Sequence, residues 1–229
     1  MKPKLNVQKR KDFTGPHINL PKNTGNDSQP NEKDQNLLKW VNYARTKPKE
    51  LAEIIRSMMG NFINEKLQNF NGVQVNTLEG KSAYQEAIDY LIKVQPLPPL
   101  EWNECLAEAA LDHSRDLAKN NIFGHDSSDG TSFGKRIERK AGETIYGEIS
   151  ENCDQLKYFH GPDFAKSSII RYIIDEAVPS RGHRKNIFNK TTKFMGGAMV
   201  KNPFSEGGFK STLDFCSIDV QLKGQGVKK

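Results

Sequence analysis

Only three cysteines occur in the 229 residues, Cys105, Cys153 and Cys216. They are odd in number, far apart and never spaced as C-x-x-C, so no disulfide framework or paired-thiol motif is indicated; this usage fits a reducing compartment. No apolar run reaches membrane-spanning length. The segment Met1–Val7 has no hydrophobic stretch of the kind a secretory leader carries, and the expectation is an intracellular protein. The phosphate-binding loop, the dinucleotide glycine fingerprint and the nucleophile elbow are all missing. So are the RNP, zinc-finger and basic-zipper patterns, and a net charge of +6 suggests an acidic partner without reaching the level expected for nucleic acid. Hydrophobic residues are scarce at 35% against 27% charged, so part of the length lies outside a core and one domain with appendages is expected.

Residues 1–30 form a basic arm carrying Lys2, Lys4, Lys9, Arg10, Lys11 and Lys22 against Asp12 and Asp27. With few large apolar residues it cannot build a core, and it is read as an extended segment that lies along a partner. Helical spacing follows in Leu37, Leu38, Val41 and Ala44, and Pro48 opens a second helix through Leu51, Ile54, Ile55 and Met58. Residues 60–80 are rich in Asn and Gly and are expected to be irregular. A helix over Ala83–Val94 places Ala87, Ile88, Leu91 and Ile92 inward, and the span 60–95 reads as an insertion. Asn103 is a helix cap for a segment that recurs apolar at Leu106, Ala110 and Leu117, with His113 on the same face as a packed, hydrogen-bonded histidine. A short helix over Phe133–Lys140 is followed by an amphipathic one over Phe164–Ala177. Two strands, Met195–Val200 and Thr212–Val220, form an antiparallel pair across the turn material between them. The domain boundaries are therefore 1–30 for the arm, 31–222 for the domain and 223–229 for a basic tail.

Chemistry concentrates at two histidines. His125 is displayed at the edge of the loop His125-Asp126-Ser127-Ser128-Asp129-Gly130. His183 lies in the tight connection after Pro179, between Arg181 and Arg184, whose charges are expected to favour its neutral imidazole. A neutral imidazole can accept a proton or bind a metal, or can serve only as a hydrogen-bonded turn residue. Glu151, in Ser150-Glu151-Asn152, lies in a segment otherwise short of inward charge. Two imidazoles and a carboxylate could hold Zn²⁺ with an open position.

Three pieces stand in order: an alanine-rich helix with His113-Ser114-Arg115-Asp116; His125 through Gly130 followed by Ser150-Glu151-Asn152; and Gly182-His183-Arg184-Lys185-Asn186-Ile187, a Gly-Gly strand and Leu213-Asp214-Phe215. This set resembles the CAP superfamily, also called SCP/TAPS, and looks like the SCP-domain proteins of unicellular eukaryotes. The resemblance covers about residues 34–221. It implies an α+β fold, an α-β-α sandwich with a small, mostly antiparallel sheet between helical layers. It also implies a cleft with two histidines and two acids. His125 and His183 match the histidines and Glu151 matches one acid, with Ser150 replacing the family's glycine; Asp175 and Glu176 lie near the position of the other, which the motif does not assign. Some members bind zinc or another divalent cation through the two histidines. Activity in the family is mostly binding rather than catalysis.

The leading expectation is a non-enzymatic, intracellular structural or interaction module. Its arm, through Lys2, Lys4, Lys9, Arg10 and Lys11, would contact an acidic protein surface such as the tubulin lattice of a cilium or flagellum. The alternatives are a metal-binding protein with ligand-binding or hydrolytic activity at the His/Glu cleft, and a secreted CAP protein.

Overall fold

The computed structural model describes residues 32–70, 72–157, 163–205 and 207–224. The basic arm, and with it Lys2, Lys4, Lys9, Arg10 and Lys11, lies outside the described residues, as does the tail beyond Gly224.

Two helices begin the domain, α1 (Glu32–Thr46) and α2 (Pro48–Met58). Leu37, Val41 and Ala44 are fully buried, as their spacing requires. Pro48 takes the first position of α2, where its missing N–H costs no hydrogen bond. The next stretch differs from expectation. Residues 67–76 are a hairpin, β1 (Leu67–Phe70) and β2 (Val73–Asn76), with Phe70 paired to Val73. The intervening sequence is Asn71-Gly72, the pair that tight hairpins favour, and Gly72 has φ +92°. In α3 (Lys81–Lys93) Ala87, Ile88 and Leu91 point inward, whereas Ile92 falls at the rim of the apolar face and is exposed.

After β3 (Glu101–Trp102), the Asn103 side chain accepts the Leu106 N–H at 3.0 Å and starts α4 (Glu104–Asn120). Then come α5 (Phe133–Ala141), β4 (Ile149–Leu156), α6 (Phe164–Ile174), α7 (Gly182–Ile187), β5 (Phe194–Lys201) and β6 (Phe209–Cys216). The strand order is β3-β5-β6-β4, with β6 antiparallel to both neighbours and β3 parallel to β5. The expected strand pair is therefore the centre of the sheet, although its second member begins at Phe209 and ends at Cys216 rather than running to Val220.

Alternation along the strands divides the interior. Met195, Leu213 and Phe215 join α1, α2, α3 and α6 in the larger core, while Cys216 joins α4 and α5 in a smaller one. Helices thus cover both faces, an α+β sandwich. At Gly196 a Cβ would stand 2.0 Å from the Ala107 backbone nitrogen, so only glycine lets α4 approach the sheet this closely. β4 is an edge strand. Its adjacent residues Glu151 and Asn152 point to opposite layers, and the functional site is built around this edge.

Candidate functional site: two histidines braced by carboxylates

α4 ends at Asn121, which adopts the left-handed conformation, and the chain then turns through the loop carrying His125. Arg136 on α5 pins that loop. It donates to the His125 carbonyl at 2.9 Å, the Thr131 carbonyl at 3.0 Å and the Ser127 hydroxyl at 3.2 Å. The same guanidinium pairs with Glu151 Oε2, and the other carboxylate oxygen, Oε1, lies 2.8 Å from His125 Nδ1. A carboxylate only accepts, so His125 carries its proton on Nδ1 and leaves Nε2 free. The Glu151 side chain is fully buried whereas His125 is about half exposed. Burial alone would raise the Glu151 pKa; the hydrogen bond from His125 and the Arg136 charge outweigh it and bring the pKa below the ordinary value. Hydrogen bonding to Glu151 in turn raises the pKa of His125.

The second histidine is held the same way. α6 stops three residues earlier than the apolar pattern suggests, because Asp175 takes the left-handed conformation at φ 55° and Ala177 follows at φ 63°. Asp is one of the few residues that tolerate that region. The turn places His183 on the first turn of α7 rather than in a loop. Asp175 Oδ1 lies 2.6 Å from His183 Nδ1, and Oδ2 accepts the backbone N–H groups of His183 at 3.0 Å and Arg184 at 3.3 Å. α7 has no cap from its own flanking side chain, and Asp175 satisfies two of its first donors instead. Asn152 docks α7 on the strand edge by donating to the His183 carbonyl at 3.0 Å and accepting from Asn186 at 2.8 Å. The Tyr172 ring lies 5.2 Å from the imidazole.

Asp175 is thus the acid that meets the second histidine. Glu176 turns the other way and accepts the backbone N–H groups of Glu79 and Gly80, each at 3.0 Å. Arg181 and Arg184 also act differently from the sequence expectation. Arg181 pairs with Glu79 at 2.6 Å and with Glu86 at 3.1 Å, and Arg184 reaches Glu86 at 2.7 Å. Their charges are met by carboxylates of the 60–95 segment instead of being aimed at His183. That segment therefore clamps the turn bearing His183.

Sequence reasoning passed over Arg136 and quoted Asp214 only within Leu213-Asp214-Phe215, without giving it a role at the site. Arg136 sits in an ordinary basic helix pattern, and only its burial, at 6% exposure, marks it. Asp214 lies opposite Glu151 on β6, fully buried. Its alternation with Leu213 and Phe215 was the available signal. Burial, then the Glu151 charge, pushes its carboxyl well above the usual range. A polar trough of about 510 Å³ lined by Thr131, Lys135, Arg139 and Thr144 lies along α5 and includes neither imidazole.

The two imidazoles fit a divalent cation in one respect. Each has Nδ1–H committed to a carboxylate and Nε2 left as a donor atom, the arrangement that orients metal-binding histidines. Among the described residues, however, His125 and His183 do not share a group of three ligating side chains within 4.8 Å. The described helices include none long and apolar enough to cross a membrane.

The chain is 28% identical over 114 residues to the uncharacterized membrane protein YlbC of Bacillus subtilis (strain 168), covering 50% of this chain and 30% of that protein. Among solved structures, an extracellular protein containing an SCP domain from Bacillus anthracis str. Ames is 23% identical with a TM-score of 0.42, over 63% of this chain and 45% of the other. An outer surface protein of Borrelia burgdorferi is 18% identical with a TM-score of 0.43, over 62% and 92%. The chain spans less than half the length of the first two of these proteins. The model of the CAP, or cysteine-rich secretory protein, family matches residues 38–215, most of the domain, and the chain belongs to that family.

Proposed function

We propose that this chain is a binding module rather than a hydrolase, and that its cleft takes a ligand or a divalent cation through Nε2 of His125 and His183. The observation that carries this reading is the matched bracing: both Nδ1 atoms are held by buried carboxylates, at 2.8 and 2.6 Å. Two serines of the His125 loop are committed elsewhere. Ser127 meets Arg136 and His113, and the Ser128 hydroxyl donates to Asp116 at 2.6 Å. A carboxylate-braced imidazole could also act as a base, but neither of these hydroxyls is paired with His125 or His183, which favours binding. A cation such as Zn²⁺ would supply Lewis acidity there. Zinc titration tests this: wild-type protein is expected to take up at least one equivalent more than the His125→Ala/His183→Ala variant, and equal uptake contradicts it.

The partner-level reading rests on charge. Six cations against two acids in residues 1–30 suit attachment to an acidic surface, and a cytoskeletal polymer such as tubulin, in a cilium or flagellum, is the surface we propose for an intracellular form. Cosedimentation with microtubules is expected for the full chain and is expected to fall when residues 1–30 are deleted. Retention without the arm contradicts the arm as anchor, and full-chain protein left in the supernatant contradicts the tubulin assignment.

A further inference from the structure

Beneath His125, between α4 and the sheet, lies a second group of metal-capable side chains. His113 on α4 and Glu151 and Cys153 on β4 each offer one ligand atom, and these atoms lie within 4.8 Å of one another. Glu151 and Cys153 share a strand face because they are two residues apart. All three are buried. His113 Nε2 lies 2.9 Å from the Gly124 carbonyl. A carbonyl only accepts, so Nε2 carries the hydrogen and Nδ1 the lone pair. The Nδ1 neighbour is the Ser127 hydroxyl at 3.5 Å, the outer limit of a hydrogen bond. A histidine with one nitrogen tied to a carbonyl and the other left with its lone pair is oriented as metal-binding histidines are.

An independent observation points to the same place. Asp214 faces Glu151 in the strand register and is fully buried, so two acid side chains meet in the interior beside His113 and Cys153. Two buried acids that face each other repel when both ionise, and a cation entering between them would relieve that repulsion. Both Glu151 oxygens are engaged, by His125 and Arg136, but each retains a second lone pair.

We propose that His113, Glu151 and Cys153 form a buried, thiolate-containing site for a divalent transition metal of the zinc type, with Asp214 as the adjacent carboxylate that completes it. The mixed nitrogen, sulfur and oxygen donors select this class over Ca²⁺ or Mg²⁺, which take oxygen. On binding, the Cys153 sulfur bonds the metal as its thiol proton leaves to solvent. The site is separate from the cleft imidazoles, since neither His125 nor His183 belongs to it. It does share Glu151 with His125, so loading would weaken the brace on His125.

Cobalt(II) is the probe, added both to folded protein and during refolding because the site is enclosed. A near-ultraviolet thiolate-to-cobalt charge-transfer band is expected at one cobalt per chain. It is expected to persist in His183→Ala and in Cys105→Ser/Cys216→Ser, and to be lost in Cys153→Ser. X-ray absorption at the cobalt edge of the wild-type protein needs no variant and is expected to show one sulfur at about 2.3 Å with imidazole scattering. The site is overturned if wild-type protein shows no such band, if the band survives Cys153→Ser, or if the cobalt shell contains only nitrogen and oxygen.

Discussion

Asp175 holds His183 at two points, the ring through Oδ1 at 2.6 Å and the backbone through Oδ2 at 3.0 Å. One carboxylate therefore fixes both the imidazole and the start of the helix that carries it. Asn at this position tolerates the left-handed backbone but offers a single acceptor oxygen. Asp175→Asn is therefore expected to lose one of the two restraints, at a cost of about 1–3 kcal/mol. Chemical denaturation would measure the loss. Imidazole nitrogen NMR would show a larger share of the Nε2–H tautomer at His183. An unchanged tautomer and unchanged stability would exclude the bracing role.

The His125–Glu151 pair has a definite pH signature. The His125 pKa is raised above its ordinary 6.5 by the hydrogen bond to Glu151. Its contribution to stability is fully present below 6.5 and is lost as pH rises through the folded-state value. Glu151 has a lowered pKa, so its contribution is present above 4.5 and is lost as pH falls through its folded-state value. His125→Ala is expected to remove the decline on the alkaline side of 6.5. Thermal melts across pH 6 to 8 test this, and a decline of the same size in the variant would assign it to another group.

Glu79 supplies a second, acidic pH effect. Its hydrogen bond with Arg181 lowers its pKa to about 2. The stabilisation is present above 4.5 and disappears as pH falls toward 2. Glu79→Gln is expected to be less stable than wild type at neutral pH, with the difference closing in acid. It is also expected to loosen the turn bearing His183, seen as faster amide hydrogen exchange at residues 177–183. A stability difference that does not depend on pH would separate Glu79 from the clamp.

Gly196 tests the packing of α4 on the sheet. A methyl group there would meet the Ala107 nitrogen at 2.0 Å and the Leu106 carbonyl carbon at 2.4 Å, both backbone atoms of a buried helix. Gly196→Ala is expected to destabilise by ~3 kcal/mol, at the upper end of overpacking effects. Gly197→Ala is expected to cost less, because its nearest neighbour is the Leu213 side chain, which can shift. Equal losses at the two positions in denaturant titrations would contradict this division of the sheet faces.

Most helices were legible from the sequence because their apolar spacing and caps agree: Leu37, Val41 and Ala44 in α1, and Asn103 before α4, are examples. The end of α6 was not, because Ile173 and Ile174 continue the apolar pattern while the stop is set by the backbone of Asp175. The hairpin at residues 67–76 was obscured by polar residues, although Asn71-Gly72 marked its turn. At the site, His125, Glu151 and His183 stood out by motif. The choice between Asp175 and Glu176 did not, since adjacent residues leave a left-handed turn in different directions. Arg181 and Arg184 were misread for a related reason: sequence order places them beside His183, but long side chains reach whichever carboxylates the fold brings near, here Glu79 and Glu86.

The proposed function requires the two braced imidazoles to act together on one ligand. The most direct measurement is imidazole nitrogen NMR of the full chain during zinc titration, with Cys153→Ser protein used to keep the buried thiol out of the readout. The expected result is that Nε2 of His125 and Nε2 of His183 shift together and saturate at the same equivalent, while both Nδ1 atoms stay protonated. Zinc binding that leaves both resonances in place, or that moves one without the other, would contradict a shared site.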